Sequence, residues 1–253
     1  MPSGTKRVQD TFTGPPERRL LHWLCARMPS WIAPDTLTLI GVFGAALAFL
    51  GYVWSSTDPA GFWLAVFGIV LNWFGDSLDG SLARYRRRER PHFGFFIDHV
   101  SDTLAIALIT LGMGFSPDVR MESAFAALGA YYVLVILTMT TCVVTGTFRI
   151  SYQRFGPTEM RLILIAGTLA ALLHAPVVFA IHNVQLSVFD AGLGALVFGM
   201  LGASMEQALR VGRALARADP APEPASGLAT PPLNLRRCPP RPEAPTRFGN
   251  PRS

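Results

Sequence analysis

Six apolar stretches, each close to the length that crosses a bilayer, recur along this chain, and the Lys and Arg residues crowd into alternate intervals between them. The stretches run over about 36–54, 60–82, 95–115, 124–145, 160–181 and 188–209, near the roughly 20 residues a helix needs to span hydrocarbon. Lys6, Arg7, Arg18, Arg19 and Arg27 precede the first. Arg84, Arg86, Arg87, Arg88 and Arg90 separate the second from the third, and Arg149, Arg154 and Arg161 lie between the fourth and fifth or just inside the fifth. Arg210, Arg213 and Arg217 follow the sixth, whereas the remaining intervals contain one basic residue, Arg120. By the positive-inside rule this alternation predicts a multi-pass membrane protein with both termini and the Arg-rich loops in the cytoplasm. Composition agrees: 50% of residues are hydrophobic and 15% charged, against about 25% charged in a soluble domain. The net charge of +5 sits in loops rather than on one face interleaved with aromatics. This argues against a nucleic-acid partner and for an anionic membrane surface.

The expected fold is all-α: a polytopic bundle of six transmembrane helices with an N-terminal amphipathic helix in the interface. Residues 1–35 form the cytoplasmic N-terminal segment. They lack the apolar core of a secretory signal, so the later apolar segments are expected to be retained spans. Within 17–31, Leu20, Leu21, Trp23, Leu24, Met28 and Trp31 recur at helical spacing among Arg18, Arg19, His22 and Arg27, as in helices that lie along a membrane surface. Pro34 is expected to break that helix, with Asp35 or Thr36 capping the first span. Residues 36–217 form the transmembrane catalytic domain. Residues 218–253 hold ten of the 20 prolines and five arginines, the composition of a disordered cytoplasmic tail. Cys25, Cys142 and Cys238 show no metal-binding or disulfide spacing.

The segment 75–102, GDSLDGSLARYRRRERPHFGFFIDHVSD, carries the chemistry. Asp76, Asp79, Gly80 and Ala83 fall at i, i+3, i+4 and i+7, one face of a helix; Gly94, Asp98 and Asp102 fall at i, i+4 and i+8, one face of the next. Opposed, the two stripes bring four carboxylates together at the cytoplasmic end of the membrane, with small residues leaving room between them. Carboxylates in an apolar setting are expensive, and like charges sharing a site need compensation. Divalent cations with a preference for hard oxygen ligands, Mg²⁺, Mn²⁺ or Ca²⁺, meet that need. Two such ions would clamp a diphosphate, and Arg84 stands where it can pair with a phosphate oxygen.

These residues resemble the CDP-alcohol phosphotransferase, or CDP-alcohol phosphatidyltransferase, family. The family pattern is Asp-x2-Asp-Gly-x2-Ala-Arg, a spacer, then Gly-x3-Asp-x3-Asp. Here Asp76, Asp79, Gly80, Ala83 and Arg84 are followed by nine residues and then Gly94, Asp98 and Asp102, so all eight fixed positions are matched over 27 residues. The resemblance implies that Asp76, Asp79, Asp98 and Asp102 hold two divalent ions and that Asp102 is also the base that deprotonates the acceptor hydroxyl. It implies that Asp79, Gly80, Ala83, Arg84 and Gly94 form the CDP pocket. The implied reaction transfers a substituted phosphate from a CDP-linked donor to an alcohol and releases CMP, with one substrate a membrane lipid. A further pattern, His99 after Asp98 and Thr145, Gly146, Thr147 and Arg149 before Thr158 and Glu159, resembles the choline and ethanolamine phosphotransferases. The donor stays open between CDP-diacylglycerol and a CDP-aminoalcohol.

His99, Arg149, Glu159 and Arg161 are candidate contacts to acceptor or lipid headgroup. The plain alternative for the last three is a solvated loop and a capping-box-like helix start at Thr158. Arg86 to Arg90 fit a positive-inside anchor. Gly41, Gly44, Gly51 and the small residues of the later spans fit close helix packing or a homodimer interface. Two rival functions remain. A cation transporter places its acids near the midplane, often among internal repeats, whereas here they cluster at one end. A non-catalytic scaffold has no use for four convergent acids.

Overall fold

The computed structural model describes residues 14–145, 157–173, 178–181 and 184–219. Seven helices and one hairpin follow in order: α1 (Gly14–Arg27), α2 (Pro34–Ser55), α3 (Gly61–Tyr85), α4 (Pro91–Phe115), α5 (Met121–Thr145), α6 (Pro157–Leu173), β1 (Val178–Ile181), β2 (Val184–Ser187) and α7 (Val188–Ala218). The chain divides into two compact units, Met1–Gly212 and Arg213–Ser253. All the helices through α6 and the hairpin lie in the first; of the second, residues 213–219 are described.

The architecture is an all-α membrane bundle. Helices α2, α3, α4, α5 and α7 are long and apolar enough to cross a bilayer. Their outward faces carry large apolar side chains, Trp63, Phe67, Ile136 and Phe198 among them, each more than half exposed, as lipid-facing surface requires. The fifth expected span is shorter than the sequence pattern implied. Helix α6 stops at Leu173, and residues 178–181, expected to finish that span, pair antiparallel with 184–187, Ile181 opposite Val184. By residue type, Val178, Phe179, Ile181 and Val184 suit a strand.

The pairing of α2 with α3 organises the rest. Gly41, Gly44 and Gly51 of α2 face Gly61, Gly68 and Gly75 of α3 so closely that a Cβ at Gly75 would run into the backbone of Gly41, and one at Gly68 into that of Ala48. In lipid, helices gain little from hiding apolar surface, so close backbone approach and van der Waals contact supply the attraction. A Cβ at Gly41 would lie 3.2 Å from the amide nitrogen of Asp76, so this seam also sets the depth of the acidic residues. Helix α4 joins the other side of α2 through Gly112, where a Cβ would lie 2.8 Å from Phe49 Cα. Ala45, Ala48, Tyr52, Phe62, Ala65, Ile69, Ala105 and Ile109 fill the centre, with Leu164 and Ile165 of α6 packed on them.

Helix α1 docks Leu21 and Cys25 against Leu37, Leu78 and Leu82. Pro34 does not merely end the preceding segment: it is the first residue of α2, with Ala33 as N-cap and no side-chain cap. A first-turn proline forgoes only an amide that has no helical partner anyway. Asp35 is therefore free of capping duty and pairs with Arg90 instead. Arg86 ties the α1–α2 connection to the end of α3, donating to the carbonyl oxygens of Ile32 at 2.5 Å, Pro29 at 2.7 Å and Met28 at 3.1 Å. Past the end of α3, Arg87 turns into the left-handed region at φ 54°. The Arg88 amide donates to Ala83 O at 2.9 Å and the Arg87 amide to Arg84 O at 3.1 Å. This Schellman-type stop reverses the chain so that α4 comes back along the bundle.

Candidate functional site: an acidic cluster between three helices

Asp76 of α3 and Asp98 and Asp102 of α4 each offer a carboxylate oxygen, and these atoms lie within 4.8 Å of one another. The i, i+4 spacing of Asp98 and Asp102 aims both at α3, and Asp76 meets them because Gly75 and Gly41 hold that turn of α3 against α2. A small cavity beside them is lined by Thr38, Gly41, Val42, Asn72, Asp76, Ser101 and Asp102. Asp79, the fourth acid of the pattern, is turned differently. One of its oxygens accepts the Thr38 hydroxyl at 2.6 Å and the other the amide of Gly80. It still lies within electrostatic reach of Asp76 and Asp98. The structure thus brings three of the four aspartates into one ligand set and places Asp79 beside it, held by α2.

The cluster carries its own counter-charge. Arg161 of α6 donates from Nη2 to Asp76 Oδ2 at 2.8 Å, and the same nitrogen is 3.8 Å from Asp102 Oδ1. Its Nε donates to Asn72 Oδ1 at 3.1 Å, and Asn72 Nδ2 donates in turn to Gly41 O at 3.0 Å. Arg161 is 8% exposed, and an ionised group so placed needs such partners. In the sequence Arg161 was a candidate contact to acceptor or lipid headgroup; the structure puts it inside the acidic cluster. Asn72 and Thr38 escaped the sequence reading altogether. Asn72 had a signal, since it stands one helical turn before Asp76 in an otherwise apolar run. Thr38 had none, because its partner lies 41 residues away.

The other candidates are spread around the cluster rather than gathered in it. Gly94 has nothing within 4 Å of an added Cβ, and at Gly80 such a Cβ would meet the Arg84 guanidinium at 3.3 Å. Arg84 is exposed and donates to Ser81 Oγ at 3.3 Å, so its fork lies over Gly80 on the side that opens outward. Ala83 is half-buried on the same face. His99 points back along its own helix: Nδ1 is 2.8 Å from Phe95 O and 3.7 Å from Asp98 Oδ2, with its ring against Phe95. Glu159 is buried in the first turn of α6. Thr158 donates its hydroxyl to Glu17 of α1 at 2.7 Å, and Glu17 also accepts from Trp73 Nε1 at 3.2 Å. Those bonds clasp α1, α3 and α6 beside the cluster. Arg149 and the tail from 220 onward lie outside the described residues.

Three carboxylate oxygens at this separation, with small residues beside them, suit a hard divalent cation such as Mg²⁺ or Mn²⁺. The lack of nitrogen or sulfur ligands in the set argues against zinc.

Comparison with known proteins gives the family and the fold. The sequence profile of the CDP-alcohol phosphatidyltransferase family matches residues 31–191, well over half of the chain and the whole of the acidic segment. The chain belongs to the CDP-alcohol phosphatidyltransferase family. Among curated relatives, cholinephosphotransferase 1 of Gallus gallus is 27% identical over 192 residues, 71% of this chain and 54% of that protein. The inner membrane protein YnjF of Escherichia coli K12 is 38% identical over 107 residues, 41% of this chain and 47% of that protein. The chain spans about half the length of the curated relatives it matches. The fold is shared with phosphatidylinositol phosphate synthase of Mycobacterium tuberculosis, solved in complex with manganese and citrate. Its TM-score is 0.53 at 16% identity, over 77% of this chain and 88% of that one. The same protein solved with CDP-DAG bound also gives 0.53, at 15% identity.

Proposed function

We propose that this protein is a CDP-alcohol phosphotransferase of phospholipid synthesis, which moves a substituted phosphate from a CDP-linked donor to an alcohol and releases CMP. The observation that carries the reading is the meeting of Asp76, Asp98 and Asp102 within 4.8 Å at one end of a membrane bundle. Bound divalent ions would supply the positive charge that offsets a diphosphate and the charge building on its leaving oxygen.

The chain's own residues do the rest. Asp76, Asp98 and Asp102 hold the ions, with Asp79 completing the set from its post against Thr38. Asp102, on the α4 side of the cluster, takes the proton from the acceptor hydroxyl. Gly80, Ala83 and Gly94 keep the approach free of side chains so that the cytidine diphosphate can lie close to α3 and α4. Arg84 offers a two-pronged donor to its phosphates. His99, Glu159 and Arg149 are the candidates for contact with the acceptor or the lipid headgroup. The Arg-rich loops put this end of the bundle in the cytoplasm, where a soluble substrate enters from water and a lipid enters sideways from the leaflet.

The likeness to cholinephosphotransferase 1 from several vertebrates favours a CDP-aminoalcohol donor with a lipid alcohol as acceptor. CDP-diacylglycerol is the second reading, since a protein of the same fold has been solved with CDP-DAG bound.

One assay tests the reading. Purified protein in nanodiscs receives Mg²⁺ or Mn²⁺ and, in turn, CDP-choline, CDP-ethanolamine and CDP-diacylglycerol with diacylglycerol or polar alcohols, and CMP is measured. CMP release that needs the metal and is lost in Asp102→Asn supports it. Silence with every donor would overturn it in favour of a non-catalytic scaffold, and cation flux in liposomes without CMP would replace it with the transporter reading.

A further inference from the structure

Arg161 has a place in the site that pocket-building alone does not account for. Its guanidinium shares one nitrogen between Asp76 at 2.8 Å and Asp102 at 3.8 Å, while its Nε is held by Asn72 at 3.1 Å. Asn72 is itself pinned to the backbone of α2 through Gly41 O at 3.0 Å. The arginine is thus fixed from behind by a buried amide and presented to two of the three carboxylates that form the acidic cluster. It comes from α6, an element outside the family's acidic segment on α3 and α4. The side chain is about as buried as the core around it, at 10% exposed, whereas Asp76 and Asp102 are 18% and 37% exposed. The charge therefore faces the carboxylates from the protein side and leaves their outer side to a ligand.

Two cations cannot share these oxygens without cost. A divalent ion held by Asp76 and Asp102 would sit a few ångströms from the guanidinium. Repulsion at that distance exceeds a factor of ten in binding even with the strong screening typical of protein sites. The same arginine keeps the carboxylates from splaying apart when no ion is bound, because it neutralises part of a like-charge cluster.

We infer that Arg161 is a positioning residue, a built-in counter-cation that holds Asp76 and Asp102 in the ligand geometry and lowers their affinity for the divalent ion. The inference rests on the metal reading of the site given above. It makes ion binding weaker than three aspartates alone would make it, and it ties tight binding to the arrival of an anionic substrate whose charge relieves the repulsion.

The experiment is a Mn²⁺ titration of the purified full chain in detergent, read by the EPR signal of free Mn²⁺, for wild type and for Arg161→Gln, Arg161→Met and Arg161→Lys. Size-exclusion profiles show which variants are folded. The neutral variants are expected to bind Mn²⁺ about tenfold tighter or more, and Arg161→Lys, which keeps the charge, to stay within about threefold of wild type. A residue with a merely structural role would leave affinity unchanged or weaken it when removed. Unchanged or weaker binding in the neutral variants overturns the inference while leaving the metal reading standing. Absence of Mn²⁺ binding in wild type removes the metal reading and this inference together. Failure of both neutral variants to fold, with Arg161→Lys folded, makes the arginine a folding residue and also overturns it.

Discussion

Helix α3 has two neighbours that teach opposite lessons about glycine. Against α2 it is sealed: Gly44, Gly51, Gly61, Gly68 and Gly75 stand where any Cβ would strike backbone, and the seam buries Leu37, Ala45, Ala48, Ala65, Ile69 and Leu78 without exposure. Against α4 it is open: the two helices share few contacts, Gly94 has no neighbour within 4 Å of an added Cβ, and Gly80 meets only the movable tip of Arg84. In the seam glycine brings backbones close, and at the opening it borders free space or a movable side chain. The closed side holds the open side in position, because Gly41 and Gly75 fix the turn that carries Asp76 while Thr38 of α2 holds Asp79.

That contrast is easiest to break at its two ends. The largest effect belongs to the acids. Asp76→Asn is expected to lower CMP release by about a thousandfold or more with an unchanged size-exclusion profile, since a carboxamide fills the same volume without the charge. Next comes the seam. Gly75→Val forces α3 off α2 and is expected to destabilise the bundle by about 3 kcal/mol or more, seen as a large drop in the thermal midpoint in detergent and loss of activity with it. Gly94→Val is the matched control at the opening. Its thermal midpoint should stay near wild type, within about 0.5 kcal/mol, while CMP release falls because the side chain enters the approach. A seam-like collapse of Gly94→Val, or a seam that tolerates Gly75→Val, would erase the distinction.

Smaller effects sharpen it. Thr38→Val removes the hydroxyl that binds Asp79 at 2.6 Å. It should cost about 1–2 kcal/mol of stability and raise the metal concentration needed for half-maximal activity. The smallest change is Arg87→Gly at the stop between α3 and α4. Residue 87 has φ 54°, which glycine adopts without the Cβ penalty, so the thermal midpoint should rise by the equivalent of up to about 1 kcal/mol with activity unaltered.

Much of this arrangement was legible in the sequence, and what was not has a physical reason. Helical periodicity put Asp76, Asp98 and Asp102 on inward faces because both stripes lie on adjacent helices, where spacing alone fixes direction. It could not foresee that Asp79, on the same stripe as Asp76, would be drawn aside by a hydroxyl from α2. Long apolar segments and alternating basic loops marked the membrane bundle. They could not mark the hairpin of β1 and β2, since VFAI and VQLS are too short for their period to separate strand from helix. Arg161 was visible only as another charge near a basic loop. Its pairing with residues 85 and 59 positions away depends on how α6 docks, which no local pattern carries. Pro34 was read as a breaker and proved to be a starter, because a proline before an apolar run is compatible with both.

The claim on which all of this depends is that Asp76, Asp98 and Asp102 share a divalent ion. Crystals grown with Mn²⁺ and measured at the manganese absorption edge test it most directly. The account predicts an anomalous peak within coordination distance of carboxylate oxygens from all three residues, and loss of that peak in Asp98→Asn. A peak elsewhere, or none at saturating Mn²⁺ with Arg161 still seated on Asp76, would contradict it.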